Sequence, residues 1–445
     1  MPKAKYSVIS NNKIGSFDKT IEVDSDKSIS IRAFLISSIS QGISEIKNSL
    51  ESEDVFSTIN CLKKLGVKIN KINKNKYIVY GKGLGSFYAK KNLTLDCGNS
   101  GTLARLMIGI LSTTPNINLK ITGDESLKKR KMSKLILLMN KFGANFEKNK
   151  SNFPIKIISS SMPIGINYIS GVSAQLKSAV ILAGLNSYGF TTIKESKDNM
   201  SRNHTENLLS NNKSVIKIKR NKIDILGKGT LNPFKLIIPG DPSSAAFFCA
   251  VTIFSKNSKL KIKNVCLNPR RTGFYNLLKR HGANIKFKNI KKINNEIVGD
   301  IFVKSGKLKP IKASAKYYPS TTDEYVILSV CAAMIPGISV FKGISDLSNK
   351  ESSRANEMKK ILKQIGIKCN VSQDEMRVYG SKQIKVKKII KVGKLNDHRI
   401  CMATFCLSII NGIKCTIKNF ETVDTSSPSF LKIIKSIGGK YEIKK

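Results

Sequence analysis

The chain has 445 residues, of which 41% are apolar, and a formal net charge of +47 at pH 7. This length exceeds what one hydrophobic core usually supports, so it predicts two domains or an internal repeat. No apolar run is long enough to span a membrane, and the first residues contain no apolar segment of the kind that secretory signals carry. We therefore expect a globular cytoplasmic protein.

Lysine accounts for most of the charge. Of the 77 basic residues 11 are arginine, and the 66 lysines are spread over the whole chain. Such a charge attracts nucleic acid, but no basic block alternates with aromatic residues, so a codon bias explains the lysines better. Small anions are the preferred partners. Nine cysteines without a C-x-x-C pair indicate reduced core thiols, and only three histidines argue against a metal site.

In chain order, a short strand at residues 5–10, KYSVIS, precedes the first helix and is predicted to pair with the last part of the chain. Polar turns then open long apolar helices at intervals of 70–79 residues. Each turn supplies a Ser, Thr or Asp, the side chains that cap the free N–H groups of a helix. The predicted starts lie near Ser25, Thr102, Ser173, Ser243, Thr322 and Asp397.

A second series of signals interleaves with the first. Five amphipathic runs end in an apolar residue and a glycine before a short strand, because the left-handed conformation after a helix costs glycine least. These glycines are Gly66, Gly143, Gly282, Gly366 and Gly438, and the third position, LLSNNKSVIKI from Leu208, lacks one.

Together the two series predict six α/β units of about 70–80 residues each. We expect three units in each domain, with the apolar helices buried and the amphipathic helices outside them. The chain should cross between the domains within IIPGDPSSAAFF, residues 237–248.

Charged and small residues cluster where the apolar helices begin. The motifs are DSDKSISIR, GNSGTLAR, GDESLKKRKM, SAQLKSA, MSRNHTE, TTDEY, NKESSR and NDHR. Helix N-termini present unpaired N–H groups to anions, glycine at position 101 lets a ligand approach the backbone, and arginine adds a bidentate fork. Six of the 11 arginines lie in or just after these motifs, namely Arg32, Arg105, Arg130, Arg202, Arg354 and Arg399. The pattern predicts a binding site for anions.

Single residues leave alternatives open. Any one Ser or Thr at a helix start is a plain cap or a ligand contact, and Arg105 is a buried structural arginine or a ligand contact. Asp323 is either a helix cap or a proton carrier placed among cations. Glu351 is either an ion-pair partner or a proton carrier.

In combination, and in this order, several motifs resemble the EPSP synthase family of enolpyruvyl transferases over nearly the whole chain. They are DKSISIR, GNSGTLARL, GDESLKKRKM, SAQLKSAVILAGL, PGDPSSAAFF, DEY, NKESSR and NDHRICM. The resemblance implies an α/β (α+β) fold of two similar domains, each with three βαβαββ units and buried helices, an inside-out α/β barrel. It implies one domain at 25–240 and one at 1–24 plus 241–445, with a hinge near 22–27 and 238–242. We expect a monomer without metal, organic cofactor, nucleic acid or membrane partner.

The implied reaction moves the enolpyruvyl group of phosphoenolpyruvate to the 5-hydroxyl of shikimate 3-phosphate and releases phosphate. By the same resemblance, shikimate 3-phosphate contacts Lys27, Ser28, Arg32, Ser173, Ala174, Gln175, Arg202, Asp323 and Lys350. Phosphoenolpyruvate contacts Lys27, Gly101, Arg130, Gln175, Arg354 and Arg399. The implied catalytic residues are Lys27, Asp323, which takes the proton of the attacking hydroxyl, and Glu351, which protonates and later deprotonates the methylene carbon.

The chain departs from the family pattern at Leu106, Lys131 and Ala174, and the contact at Ala174 is left to its backbone. It also departs in the segment TSSPSF, to which no substrate contact is assigned. One rival is the related transferase that acts on UDP-N-acetylglucosamine, but that family usually has a reactive cysteine on a loop, and GDESLKKRKM contains none. A nucleic-acid-binding protein of repeated α/β units gives no reason for the clustered arginines. We also hypothesise that Gly101 leaves room for the phosphonate of glyphosate, a phosphoenolpyruvate mimic.

Overall fold

The computed structural model describes residues 5–147, 151–196, 200–382, 384 and 389–444. Contacts along the chain divide it into two compact domains. The terminal domain contains both chain ends and is formed by Met1–Asp24, Pro239–Lys292 and Ile297–Lys445. The insert domain is formed by Ser25–Ile238 and Ile293–Glu296. The short piece Ile293–Glu296 was expected in the other domain.

Two strands precede the insert domain, β1 (Ser7–Ser10) and β2 (Asp18–Ile21). The elements of the insert domain follow in chain order. They are α1 (Lys27–Ile39), β3 (Gln41–Lys47), α2 (Glu53–Lys64), β4 (Lys68–Asn73), β5 (Lys76–Lys82), β6 (Thr94–Asp96), α3 (Gly101–Thr113), β7 (Asn118–Thr122), α4 (Glu125–Lys128), α5 (Ser133–Lys141), β8 (Asn145–Phe146), β9 (Ile155–Ile158), β10 (Asn167–Ser170), α6 (Ala174–Gly184), β11 (Phe190–Glu195), α7 (His204–Leu209), β12 (Ile216–Ile218), β13 (Lys222–Leu226) and β14 (Lys235–Ile237).

The rest of the chain supplies most of the terminal domain. Its elements are α8 (Pro242–Phe254), β15 (Lys259–Cys266), α9 (Gly273–Arg280), β16 (Asn284–Ile293), β17 (Glu296–Lys304), β18 (Lys312–Ala313), α10 (Tyr318–Thr321), α11 (Tyr325–Ala333), β19 (Gly337–Lys342), α12 (Arg354–Gln364), β20 (Cys369–Val371), β21 (Glu375–Gly380), β22 (Ile390–Val392), α13 (His398–Asn411), β23 (Cys415–Ile417), α14 (Phe430–Ser436) and β24 (Glu442–Lys444). Single 3₁₀ turns lie at Ala315–Tyr317, Ser345–Asn349 and Phe420–Thr425.

The strands form six four-stranded sheets, three in each domain. In the insert domain the strand orders are β14-β3-β5-β4, β6-β7-β9-β8 and β10-β11-β13-β12. In the terminal domain they are β16-β17-β15-β2, β18-β19-β21-β20 and β22-β23-β1-β24. Each sheet contains one parallel pair, for example β6 with β7 in the register Leu95 opposite Ile121. This is the predicted βαβαββ repeat, found six times, and the α/β fold class is confirmed.

Three sheets take a strand from a distant part of the chain. The strand β14, at the end of the insert domain, pairs in parallel with β3, and β2 pairs in parallel with β15. The strand β1 pairs antiparallel with both β23 and β24, so that Val8 lies opposite Ile417 and Ile443. The predicted pairing of KYSVIS with the end of the chain is therefore confirmed.

The two kinds of helix divide as the sequence predicted. The helix α8 buries all but one of its 13 residues and α11 buries all nine, whereas α5 buries two of nine. In the terminal domain α8, α11 and α13 pack against one another, and in the insert domain α3 packs against α1 and α6. Because each fully buried Leu, Ile or Phe contributes about 1.5–3 kcal/mol, these inner helices add substantially to the stability of each domain.

The five predicted glycines all take the left-handed conformation after an amphipathic helix. Their φ angles are 84° at Gly66, 89° at Gly143, 101° at Gly282, 73° at Gly366 and 97° at Gly438. In the third repeat α7 is only six residues long and its last turn runs into Ser210 in right-handed geometry, so no glycine is needed there.

All nine cysteines are buried free thiols, as predicted. Among the described residues, none of the helices has both the length and the apolar character that a membrane crossing requires.

Asp24, the last residue before the insert domain, is a partly buried carboxylate whose charge should destabilise the folded protein. Its Oδ2 accepts bonds from Ser427 Oγ (2.9 Å) and Ser429 N (3.0 Å). Burial raises the pKa of Asp24, the bonds from Ser429 and Ser427 oppose the rise, and the charge of Asp241 adds to it. The pKa of Asp24 is therefore higher in the folded than in the unfolded protein, so ionisation of Asp24 destabilises the fold. This destabilisation grows as the pH rises from the unfolded-state pKa to the folded-state pKa.

We therefore expect Asp24→Asn to raise the melting temperature at pH 7, and the gain to shrink as acid protonates Asp24 in the parent protein. The control is Asp18→Asn, because the Asp18 side chain is 71% exposed on β2. Thermal unfolding of the parent protein and the two variants at pH 7 and pH 4 gives the melting temperatures to compare. A lower melting temperature of Asp24→Asn at pH 7 would show that the charge is needed.

Candidate functional site

Five of the six buried helices begin with a side chain that caps a backbone N–H group. The capping residues are Asp26, Ser100, Ser173, Asp241 and Asp397, with bonds of 2.7–3.4 Å. The predicted caps at Ser173 and Asp397 are confirmed. The helix starts predicted near Ser25, Thr102 and Ser243 are confirmed to within two residues, and a neighbouring polar side chain supplies the cap in each case.

The fifth buried helix begins differently from the prediction. The short helix α10 ends at Thr321, and α11 starts at Tyr325 behind Glu324, which makes no capping bond. The prediction of a capped start near Thr322 is therefore wrong, because a helical turn already precedes this point. Asp323 directly precedes Glu324, the residue at the cap position of α11, and its role as proton carrier stays a prediction.

The first motif places Lys27 and Ser28 at the first turn of α1. Lys27 Nζ lies 3.0 Å from Oδ2 of Asp54, a buried carboxylate in the first turn of α2. The half-buried Ser28 accepts a bond from Arg32 Nη1 through its carbonyl oxygen (3.0 Å). The ammonium of Lys27 is thus held by a carboxylate that the sequence did not single out.

Arg32 is buried and links three helices of the insert domain. Its Nε donates to Thr205 Oγ1 on α7 (2.9 Å), and its Nη2 donates to Ser178 Oγ on α6 (3.2 Å). Thr205 Oγ1 in turn donates to Ser178 Oγ (2.7 Å). These bonds fix the plane of the guanidinium, which is the part that recognises a planar anion.

The GNSGT turn lies under two guanidinium groups. A Cβ at position 101 would lie 2.5 Å from Arg130 Nη1 and 2.8 Å from Arg105 Nη1. A larger residue at position 101 would therefore displace the ends of both arginine side chains. Two cations close together at the positive end of α3 favour an anion at this point.

Gln175 is held at both ends of its amide. Its Oε1 accepts from Arg105 Nη1 (2.6 Å) and its Nε2 donates to Thr102 Oγ1 (3.0 Å). Arg105 also donates to the carbonyl of Gly101 (3.2 Å). The half-buried Arg105 thus joins GNSGT to SAQ, which agrees with the structural alternative, and a ligand contact of Arg105 stays a prediction.

The third repeat contributes Ser173, Ala174 and Arg202. Ser173 Oγ caps α6, and Ala174 is the first residue of that helix. Arg202 is half-buried in the segment between β11 and α7.

A buried ion cluster behind Arg202 was missed by the sequence analysis. Lys177 is 0% exposed, and its Nζ lies 2.7 Å from Glu195 Oε1 and 2.6 Å from Glu206 Oε1. It also donates to the carbonyl of Ser201 (3.4 Å), the residue before Arg202. The only local signal was a single lysine inside the apolar run SAQLKSAVILAGL.

In the terminal domain three carboxylates surround one guanidinium. Arg354 is 1% exposed, with Nε 3.0 Å from Asp397, Nη1 3.2 Å from Asp323 and Nη2 2.5 Å from Glu351. Burial disfavours its charge, but attraction by Asp397, Glu351 and Asp323 outweighs burial and raises the pKa of Arg354. Asp397 also accepts from Ser352 Oγ (2.8 Å). The cluster holds the two predicted proton carriers on one cation.

Arg399 and Lys350 complete this group. Arg399 Nε lies 3.5 Å from Asp323 Oδ1, and Arg399 is the second residue of α13. Lys350 directly precedes Glu351, and its Nζ lies 2.6 Å from Asp346 Oδ2. Glu351 is therefore an ion-pair partner of Arg354, as one alternative held, and this pairing leaves its role as proton carrier open.

The predicted residues thus divide between the two domains. In the insert domain these are Lys27, Ser28, Arg32, Gly101, Arg130, Ser173, Ala174, Gln175 and Arg202. In the terminal domain they are Asp323, Lys350, Glu351, Arg354 and Arg399. Hydrogen bonds and ion pairs join Ser28 to Arg32 and Gln175 to the GNSGT turn in the insert domain, and Asp323 to Arg354 and Arg399 in the terminal domain.

Comparisons with known proteins agree with these motifs. The sequence model of the family "EPSP synthase (3-phosphoshikimate 1-carboxyvinyltransferase)" matches residues 11–434. A 3-phosphoshikimate 1-carboxyvinyltransferase of Thermoanaerobacter sp. (strain X514) is 39% identical over 93% of this chain and 96% of its own. The 3-phosphoshikimate 1-carboxyvinyltransferase of Petrotoga mobilis is 38% identical over 94% of this chain and 96% of its own.

A solved EPSP synthase from Acinetobacter baumannii has a TM-score of 0.85 at 31% identity, covering 99% of this chain and 100% of its own. An enolpyruvyl transferase from Streptomyces tendae has a TM-score of 0.77 at 11% identity over 99% of both chains, a likeness of fold. From the motifs, the six repeats and these relatives, the chain belongs to the EPSP synthase family, the 3-phosphoshikimate 1-carboxyvinyltransferases.

Proposed function

We propose that this chain performs the reaction of its family with the residues described above. It transfers the enolpyruvyl group of phosphoenolpyruvate to the 5-hydroxyl of shikimate 3-phosphate, and phosphate leaves. The observation that carries the proposal is the cluster on Arg354, where Asp323 and Glu351 lie beside the cations Arg354 and Arg399. Proton transfer between two anionic reactants needs such carboxylates among cations.

Shikimate 3-phosphate is assigned to residues that are mostly already oriented. Lys27, Arg32 and Lys350 supply positive charge for its phosphate and carboxylate. The remaining contacts come from Ser28, Ser173, Ala174, Gln175, Arg202 and Asp323. Because Arg32 is fixed by Thr205 and Ser178, little side-chain entropy remains to be lost when a ligand binds.

Phosphoenolpyruvate is assigned to Lys27, Gly101, Arg130, Gln175, Arg354 and Arg399. Arg130 stands over the N-terminus of α3, where free backbone N–H groups and the helix dipole add to its charge. Gln175 has a fixed amide orientation, since its oxygen is engaged by Arg105.

The proton steps follow from these assignments. Asp323 takes the proton of the 5-hydroxyl as its oxygen attacks C2 of phosphoenolpyruvate, and Glu351 gives a proton to C3. The product of this step is a tetrahedral intermediate. Glu351, now a carboxylate, removes a proton from the same carbon while the bond from C2 to the phosphate oxygen breaks. Lys27 stabilises the negative charge of the departing phosphate.

The proposal also includes a hinge near residues 22–27 and 238–242, where the chain passes from one domain to the other. It further includes a cytoplasmic monomer that needs no cofactor and has no nucleic-acid or membrane partner.

Phosphate release tests the substrate assignment. The purified chain is mixed with phosphoenolpyruvate and either shikimate 3-phosphate or UDP-N-acetylglucosamine, and free phosphate is followed. We expect phosphate release when the acceptor is shikimate 3-phosphate and none when it is UDP-N-acetylglucosamine. Release only with the nucleotide sugar would assign the chain to the rival reaction. Binding to duplex DNA that falls steeply with salt, with no release from either acceptor, would favour the nucleic-acid hypothesis.

Gly101→Ala should weaken phosphoenolpyruvate binding without harming the fold. The new Cβ would occupy the place where Arg130 and Arg105 hold their Nη1 atoms, so both flexible side chains must move. We expect the KM for phosphoenolpyruvate to rise by about tenfold or more, as for a lost charge-assisted bond. Steady-state kinetics measure this effect.

Gly171→Ala is the matched control, because a Cβ there meets nothing within 4 Å. It should leave both KM values unchanged. If Gly101→Ala also leaves the KM for phosphoenolpyruvate unchanged, the two guanidinium groups do not hold this substrate. The glyphosate hypothesis is tested with the same variant, since the inhibition constant should rise along with that KM.

A further inference from the structure

Tyr318 is a buried polar side chain that none of the assignments above uses. It begins α10, is 3% exposed, and its ring stacks on Tyr325 with the centroids 5.7 Å apart. Its hydroxyl donates to Asp346 Oδ2 (3.0 Å). Burial, together with the charge of Asp346, raises the pKa of Tyr318, so the hydroxyl remains a donor at any physiological pH.

The same oxygen of Asp346 holds Lys350. Lys350 Nζ lies 2.6 Å from Asp346 Oδ2, one turn further along the chain. The side chain of Lys350 is 24% exposed and that of Asp346 is 41% exposed. Ion pairs this exposed contribute little by themselves, since solvent screens them and both side chains stay mobile. The bond from the buried Tyr318 gives the carboxylate a fixed position.

We propose that Tyr318 is a positioning residue for shikimate 3-phosphate, acting through Asp346 on the ammonium of Lys350. The inference rests on the proposed role of Lys350 in binding this substrate.

The physical reason lies in the flexibility of lysine. Ordering a lysine side chain costs up to about 2 kcal/mol of rotamer entropy, and this cost reduces affinity if it is met when the ligand binds. An ammonium group has three donors. In Lys350 one N–H donates to Asp346, and this bond fixes the position of the ammonium. The other two N–H groups can then donate to phosphate or hydroxyl oxygens of the substrate.

Tyr325 offers a matched control within the same stacked pair. It is also buried, and within the described part of the chain its hydroxyl has no hydrogen-bond partner. Removing the hydroxyl of Tyr318 breaks its hydrogen bond to Asp346, whereas removing the hydroxyl of Tyr325 breaks no described hydrogen bond. Both changes to phenylalanine keep the ring and its packing.

The experiment compares Tyr318→Phe and Tyr325→Phe by steady-state kinetics. For Tyr318→Phe we expect the KM for shikimate 3-phosphate to rise about three- to tenfold, the effect of one lost hydrogen bond of ordinary net strength. Its kcat and its KM for phosphoenolpyruvate should stay within twofold. Tyr325→Phe should change none of the three constants. Equal effects of the two substitutions, or no effect of Tyr318→Phe, would overturn the inference.

A double-mutant cycle separates positioning from a general structural role. If Tyr318 acts through Lys350, Tyr318→Phe should have no further effect in a Lys350→Ala background. A full additional loss there would overturn the inference. Failure of this inference can be distinguished from failure of the proposed function. If the proposed function is wrong, the parent protein itself releases no phosphate with shikimate 3-phosphate.

Discussion

Glu351→Gln is expected to lower turnover by about 10²–10⁴-fold, the usual contribution of a general acid or base. Glutamine keeps the shape of the side chain and an oxygen that can accept from Arg354 Nη2, but it cannot deliver or take up the proton at C3. The KM values for both substrates should therefore remain within a few fold, so the loss appears in kcat. Stopped-assay phosphate release with both substrates at saturation measures it.

Glu357→Gln is the control for this change. Glu357 lies in the first turn of α12 and pairs with a basic residue, Lys360, at 2.8 Å, but this partner is 70% exposed whereas Arg354 is buried. It should retain full turnover. If Glu351→Gln keeps turnover within tenfold of the parent, another group moves the proton at C3, and the assignment of Glu351 fails.

Arg354→Met should cost about 3–5 kcal/mol of unfolding free energy, the penalty for removing one member of a buried ion cluster. Methionine keeps an unbranched apolar stem like that of arginine but leaves Asp397, Glu351 and Asp323 without their shared cation. Of the three, Asp397 is 0% exposed and has the least access to water. Urea unfolding followed by circular dichroism should show an earlier transition of the terminal domain.

Arg377→Met provides the comparison in the same domain. Arg377 also pairs with one glutamate, Glu375, but its side chain is 51% exposed on β21. We expect no measurable shift of the unfolding midpoint there. An Arg354→Met protein as stable as the parent would mean that the three carboxylates do not need this cation, for example because they take up protons.

The repeat architecture was readable from the sequence because its signals are local. A capped helix start such as Ser173, and a left-handed glycine such as Gly66, are decided by a few neighbouring residues. Apolar runs long enough for a helix, such as the one in α8, must be buried wherever they lie. The start of α11 was misplaced because the extra turn of α10 has no distinct local pattern.

The candidate site was predictable only in part. Its residues came from motifs that resemble a family, and that resemblance names positions without naming their partners. Asp54 beside Lys27 and Asp346 beside Lys350 had no signal of their own, since charged residues are usually solvated. Lys177 stood out inside an apolar run, but nothing in the sequence identified Glu195 and Glu206 as its partners.

The sequence by itself thus determined the number of repeats, the inner and outer helices and the identity of the family. The tertiary structure alone decided which carboxylate faces each cation and which distant strands complete the sheets, as β14 and β1 do. It also decided that Ile293–Glu296 joins the insert domain, where Glu296 lies 2.7 Å from His204. The reason is physical: helix caps and burial depend on neighbours in sequence, whereas ion pairs and sheet closure depend on residues that only folding brings together.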